Sequence, residues 1–300
     1  MAGHDDTHQR PGLTDHLLHL PDTAALYPRA TQSRFLELAG AGRLSRSHLS
    51  QWLSQDRLYA QAYVRFIGGL LSLVELPTPI RYGGAAAAHA KIKMRMSMTQ
   101  TLEWRILEML RACLENILRE LAFFEDTAAE YGIDLASMGP ASDAAFGPNE
   151  TTRGYIDLFD SFGGKVGGGG EDNNSNKDNN KMALLRGLVV LWTTEKVYLD
   201  AWLYAAAQGR SSSGGGSSKD VDQDASSEDE DGGALRKAFI PNWTSDEFKT
   251  FVEEIRGCLD NFAAVVRQGQ DASSDGTEAV AGEVFRQVLL LEEGFWPAVQ

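Results

Sequence analysis

The chain is poor in the residues that would place it in several common classes. It has two cysteines in 300 residues, Cys113 and Cys258. Two isolated cysteines form neither a disulfide framework nor a thiolate metal cluster, which points to a reducing compartment, and the expected location is cytoplasmic. The polar start, Met1 to Gly12, has no apolar core of the kind a secretory leader needs. No apolar run reaches the ~20 residues of a membrane helix. Positive charge is scarce too. There are 28 Lys and Arg against 42 Asp and Glu, for a net charge of −14. A chain this acidic is repelled by nucleic acid and by anionic membranes, so no nucleic-acid or membrane partner is expected. All six histidines lie between His4 and His89. The later segments therefore lack the Glu-x-x-His pairs of a carboxylate di-iron bundle. His16, His19, His48 and His89 have no context that marks a haem ligand, and Met94, Met96 and Met98 alternate with basic residues rather than forming a copper site. No cofactor and no metal is expected.

What remains is helical. Apolar residues recur at spacings of three and four through Leu49, Trp52, Leu53, Tyr59, Tyr63, Phe66, Ile67 and Leu70, with Ser47 as the expected N-cap. The clearest stripe runs from Leu102 through Ile106, Leu110, Cys113 and Ile117 to Leu121. Further helices are expected over Phe35 to Leu38, from Thr151 and Thr152 through Phe159, from Asp246 to Leu259, and from Ala279 to Trp296. Met182 to Ala207 is apolar on more than one face, which places it at the centre of a bundle. No strand alternation and no internal repeat is present. The expected organisation is a flexible tail over residues 1–20 and one helical domain over 21–300. Polar surface insertions at 163–181 and 209–234 interrupt that domain. They are rich in Gly, Asn, Ser and Asp and hold too little apolar surface to offset their ordering entropy. Gly167 to Gly170 precede no Lys-Ser/Thr and follow no strand, so they do not make a phosphate loop.

Three constellations could carry chemistry. Asp56 and Tyr59, in Gln55-Asp56-x-x-Tyr59, share a helix face among apolar neighbours, and a carboxylate there must find a partner. Thr194, Glu195 and Tyr198 lie within the most apolar segment, with Thr194 and Tyr198 one above the other and Glu195 about 100° round the helix. Glu292 and Phe295 share a face near the end of the chain, and Glu293 points elsewhere. Each set also has an ordinary structural reading: an ion-paired Asp, a solvated Glu beside a core Tyr, exposed acids beside a closing Phe-Trp. Taken together, carboxylates with Tyr59, Tyr155, Tyr198, Trp243 and Phe295 suit a planar, amine-bearing ligand, since rings stack on heterocycles and carboxylates accept from ring amines.

The order of these segments resembles the TenA/thiaminase II family. The matching pieces are Phe35 to Gly42, Gln55-Asp56-x-x-Tyr59, Glu120 to Ile133, Thr151-Thr152-x-x-Tyr155, Leu191 to Trp202, Asn242-Trp243-Thr244-Ser245-x-x-Phe248 and Glu292-x-x-Phe295-Trp296. The resemblance implies an all-α, haem-oxygenase-like helical bundle and an aminopyrimidine hydrolase of thiamin salvage. It implies that Asp56 binds the pyrimidine nitrogens and that Tyr59, Tyr155, Trp243 and Phe295 line the ring. Tyr198 would stand near the nucleophile, and Glu292 would be the general acid and base. The thiaminase branch carries a catalytic Cys where this chain has Thr194, and neither Cys113 nor Cys258 lies near a motif that could replace it. The resemblance is therefore to a Cys-lacking branch, with Glu195 the candidate base on water. The alternatives are a non-catalytic binder of a thiamin-related or other aromatic heterocycle, and a haem-oxygenase-like enzyme acting on a redox ligand. A further one is an interaction protein whose acidic stretch, Asp220 to Asp231, recruits a basic partner. A homo-oligomer is compatible with any of them.

Overall fold

The computed structural model describes residues 11–77, 101–138, 145–163, 173–212, 229–269 and 274–299. Every regular element among them is helical. In chain order these are α1 (Leu13–Leu18), a 3₁₀ turn (Pro21–Thr23), α2 (Leu26–Thr31), α3 (Arg34–Gly40), α4 (Arg46–Leu73), α5 (Leu102–Tyr131), α6 (Glu150–Asp160) and α7 (Asn173–Ser212). A π-helical turn, Leu235–Phe239, then runs into α8 (Ile240–Trp243), followed by α9 (Asp246–Gly269) and α10 (Ser274–Phe295).

The long helices start where side chains satisfy their free N–H groups. Ser45 caps α4, Thr101 caps α5 and Asn149 caps α6, each accepting a first-turn amide. The α4 cap is thus Ser45, two residues before the expected Ser47, because the Ser45 hydroxyl reaches the amide of His48. At the far end of α5, Gly132 closes the helix in the left-handed region at φ 66°, open to glycine at no steric cost. Helix α7 packs against α2, α3, α4, α8, α9 and α10, which is why it is apolar around most of its circumference. The core is aromatic where these helices meet. Trp52 lies within 5.3–5.7 Å of Phe35, Trp202, Trp243 and Trp296, ring centre to ring centre.

Several expected boundaries move. The tail does not extend to residue 20: Leu13 and Leu17 are fully buried, and Thr14 binds Asp260 of α9 through both its amide and its hydroxyl. Both expected insertions are narrower than composition implies. Helix α7 already includes residues 173–181 and continues to Ser212. The end of the acidic stretch is ordered by its own charges, with Asp229 paired to Arg236 and Asp231 accepting from the amides of Gly233 and Leu235. Residues 164–172 and 213–228, and the methionines from Met94 to Met98, lie outside the described residues.

Helices α3 and α7 cross with almost no space between backbones. A Cβ on Gly40 would stand 1.8 Å from the Ala205 carbonyl oxygen, whereas one on Gly257 of α9 would meet nothing. Gly40→Ala is expected to destabilise the protein by about 3 kcal/mol, the upper end for overpacking a dense core. Gly257→Ala should be neutral or stabilise by about 0.5 kcal/mol through helix propensity. Thermal unfolding of the two variants checks both.

Candidate functional site

The site lies between α4, α5 and α7, and α9 closes it at one end. On α4, Asp56, Tyr59 and Tyr63 follow at three and four residues and so share one face. Gln55, one step round, ties that face to the loop before α6: its amide donates to the Gly147 carbonyl and its carbonyl accepts from the Asn149 amide. On α5, Asn116, Ile117, Glu120 and Phe124 form a single stripe, and α7 contributes Thr194, Glu195 and Tyr198. Together with Ala60 and Phe248, these residues enclose a cavity of about 30 Å³, room for one or two water molecules. Asn116, Glu120 and Phe248 also line a groove of about 640 Å³ between α5 and α9, so the cavity and the groove share part of one wall.

Each acid on the cavity wall is met by a neutral donor. The Tyr198 hydroxyl donates to Asp56 at 3.2 Å, Tyr63 to Glu195 at 2.7 Å, and the Trp243 indole N–H to Glu120 at 2.5 Å. No Lys or Arg stands among the described lining residues of the cavity. With no cation to compensate, burial dominates, and carboxyl groups in such a setting hold their protons to higher pH. Burial pushes Glu195 up to about 8 and Glu120 up to about 7. Asp56, 3% exposed, rises by burial first and then by the nearby Glu120 charge.

Sequence reasoning placed Thr194 and Glu195 on different bearings, and both reach the wall. The Thr194 hydroxyl is turned back onto the Leu191 carbonyl at 3.0 Å, so its proton is already committed to its own helix. Cys113 is nearer than its sequence context implied. It lies behind Tyr63, in electrostatic reach of Glu195, and is fully buried. Burial, and secondarily Glu195, push its thiol up, which keeps it a thiol rather than a thiolate.

Tyr155, Glu292 and Phe295 stand one layer behind the cavity. The Tyr155 hydroxyl donates to Glu292, whose other carboxyl oxygen is buried without a partner among the described residues. Burial pushes Glu292 up to about 7. Phe295 packs on Tyr59 and Tyr155 at 5.7 and 5.8 Å. Trp243 is 1% exposed, with Trp202 and Phe239 against it at 4.5 and 4.9 Å, so its N–H edge, not its ring face, is what it offers the site. Glu293 points outward to Arg29, as its position round the helix implied.

Glu120 and Tyr63 are among the wall residues that escaped the sequence reading. Glu120 looks like a solvated acid, but it falls three residues after Ile117 and four before Phe124, on the buried stripe. Tyr63 reads as core, although it continues the Asp56–Tyr59 face by one turn.

This architecture is a TenA-like, haem-oxygenase-like all-α bundle. The chain superposes on a TenA homologue from Pyrococcus furiosus with a TM-score of 0.58 and 18% identity, over 95% of this chain and 98% of that one. A TenA homologue from P. horikoshii matches with a TM-score of 0.56 and 14% identity, over 95% and 99%. At those identities the likeness establishes the fold. A protein of Fusarium pseudograminearum described as a probable transcription factor is 27% identical over 304 residues, covering 96% of this chain. The chain spans 52% of that relative's length. No protein-family model matches the chain.

The raised carboxyls tie stability to pH. Below about 4.5 they are protonated in folded and unfolded chains alike and contribute no difference. As pH rises, the unfolded chain ionises first, and stability falls until the folded groups ionise near 7 to 8. Glu195→Gln is therefore expected to stabilise the protein at pH 9, by at most the roughly 5 kcal/mol that a shift from 4.5 to about 8 carries, and by almost nothing at pH 4, a difference that thermal melts at the two pH values will read.

Proposed function

We propose that the chain binds a flat, amine-bearing heterocycle of the aminopyrimidine kind and hydrolyses one of its C–N bonds. What supports this reading is a group of buried carboxyls, each held by a neutral donor, around a water-sized cavity that shares a wall with an open groove; burial raises their proton affinity toward neutral pH. A ring is too large for about 30 Å³, whereas the groove is within the roughly 300–1,000 Å³ of small-molecule sites. The heterocycle sits at the inner end of the groove and its amine reaches Asp56.

Ionised Glu195 takes a proton from a water in the cavity. The resulting hydroxide adds to the carbon that bears the scissile nitrogen, and the nitrogen leaves with its bonding electrons and a proton from the protonated Asp56. Tyr63 orients Glu195 and Tyr198 orients Asp56. Glu292 does not touch the ligand in this arrangement and holds Tyr155, which packs edge-on against the wall residue Tyr59. Thr194 needs no part as nucleophile, because water supplies the oxygen.

A second reading is a ligand-binding module without turnover. The Fusarium relative favours it, being described as a probable transcription factor and about twice as long as this chain.

Product release from an aminopyrimidine panel, measured beside equilibrium binding, separates the two. For the hydrolase, turnover should rise with pH through about 8 as Glu195 ionises, and Glu195→Gln should lower it by about 100-fold or more, a common loss when a general base is removed. Asp56→Asn should weaken binding. Saturable binding with no turnover at any pH supports the module instead, and no binding at all discards both.

A further inference from the structure

Sulfur gathers at one place in this structure, apart from the site described above. On α5, Met109 and Cys113 are four residues apart and so share a helix face. The Cys113 thiol donates to the Met109 thioether, sulfur to sulfur at 3.6 Å. Helix α5 packs on α9, which brings Cys258 within electrostatic reach of Cys113. The two cysteines, isolated in the chain, are therefore neighbours across a helix contact. Met109, Cys113 and Cys258 are all buried. None of the three lines the cavity of the proposed site.

These sulfurs are not sealed in. Met109 and Cys258 both line a second groove, of about 570 Å³, on the α5–α9 surface. Gly257 stands beside Cys258, and a Cβ on it would find no atom within 4 Å, so the approach along α9 is open. Arg105 lines the same groove and lies in electrostatic reach of Cys258. Packing alone accounts for a buried cysteine or methionine taken singly. Three sulfur donors that converge from two helices beside an open groove also make a set of metal ligands.

The donor set selects the ion. Thiolates and thioethers are soft ligands and favour copper(I) over harder ions. Zinc takes three or four Cys, His or carboxylate ligands. Among the described residues no three His, Cys, Asp or Glu side chains gather in a way that could hold a metal ion. With a metal–sulfur bond near the ~2.3 Å of zinc thiolates, two sulfurs 3.6 Å apart subtend about 100° at a shared ion. Parting them by about 0.4 Å opens that angle to the roughly 120° of a trigonal site, at the same bond length.

We infer that Met109, Cys113 and Cys258 form a binding site for copper(I), entered from the groove between α5 and α9. Each cysteine gives its proton to solvent, and the ion takes the two thiolates and the Met109 thioether. Its oxidation state is unchanged. The bound set carries one negative charge, and Arg105 stands where it offsets that charge.

Competition between the reduced full chain and bicinchoninate for copper(I), read by loss of the coloured chelate, tests this. The wild type should withdraw one ion per chain. Cys113→Ala should lower the affinity by more than about 100-fold, beyond what loss of a partner outside the first shell costs. Met109→Leu, close in volume but without the sulfur, and Cys258→Ala should each lower it by at least about tenfold. X-ray absorption of the copper-loaded wild type should show sulfur neighbours alone, and circular dichroism checks that each variant is folded. No withdrawal of copper by the wild type, or nitrogen or oxygen around the bound ion, overturns the inference. So does wild-type affinity in a folded Cys113→Ala or, should that variant not fold, in Met109→Leu. Zinc(II) held as tightly as copper(I) overturns the choice of ion.

Discussion

Four carboxyl groups are buried or half-buried in and around one cavity of this protein, and among the described residues no cation lines that cavity. A buried carboxylate is costly unless it is paired, and the alternative to pairing is to keep its proton. Much of the local structure follows from that choice. Tyr63, Tyr155, Tyr198 and Trp243 each donate to one of the acids, and each sits on a different helix from the acid it serves. The hydrogen bonds therefore join α4 to α7, α5 to α8 and α6 to α10 across the site. The same arrangement makes the pocket a place where protons are held at near-neutral pH, which is what chemistry on an amine needs.

A structural purpose alone would be better served by apolar residues. Replacing a buried charged or polar group with a well-packed apolar one is commonly neutral or stabilising. Raised carboxyls that lower stability as pH rises, set beside a groove open to solvent, are better accounted for by a ligand than by the fold. The fold itself does not decide which ligand, because one scaffold serves several activities. Thr194 illustrates this. Its hydroxyl is satisfied on its own helix, and the acid next to it, Glu195, is the group left facing the water-sized space.

The bundle was legible in the sequence because its long helices carry strong periodicity, and the central place of α7 was legible because it is apolar nearly all round. Asp56, Thr194, Glu195 and Tyr198 were legible as polar positions among apolar neighbours, and they meet on one wall. What periodicity could not supply was depth. Tyr155, Glu292 and Phe295 lie on α6 and α10 and stand one layer behind, because α6 packs on the side of α4 and α10 packs on α6 and α7. Glu120 was missed because an acid on a long helix usually faces water, and only its place between Ile117 and Phe124 argues otherwise. The ends of the polar stretches were misjudged for a related reason. Composition near Asp229 to Asp231 reads as a solvated loop, whereas Arg236 and two backbone amides give those acids fixed partners.

The central claim is that the site acids are protonated at rest and give up a proton only near neutral pH. Infrared difference spectroscopy of the carboxylic-acid carbonyl band, followed through a pH titration of wild type and Glu195→Gln, tests it directly. The account predicts a protonated-carboxyl band that persists at pH 7 and disappears as pH rises through about 8, with part of it absent from Glu195→Gln. A wild-type protein whose carboxyl groups are all ionised by pH 6 would contradict it.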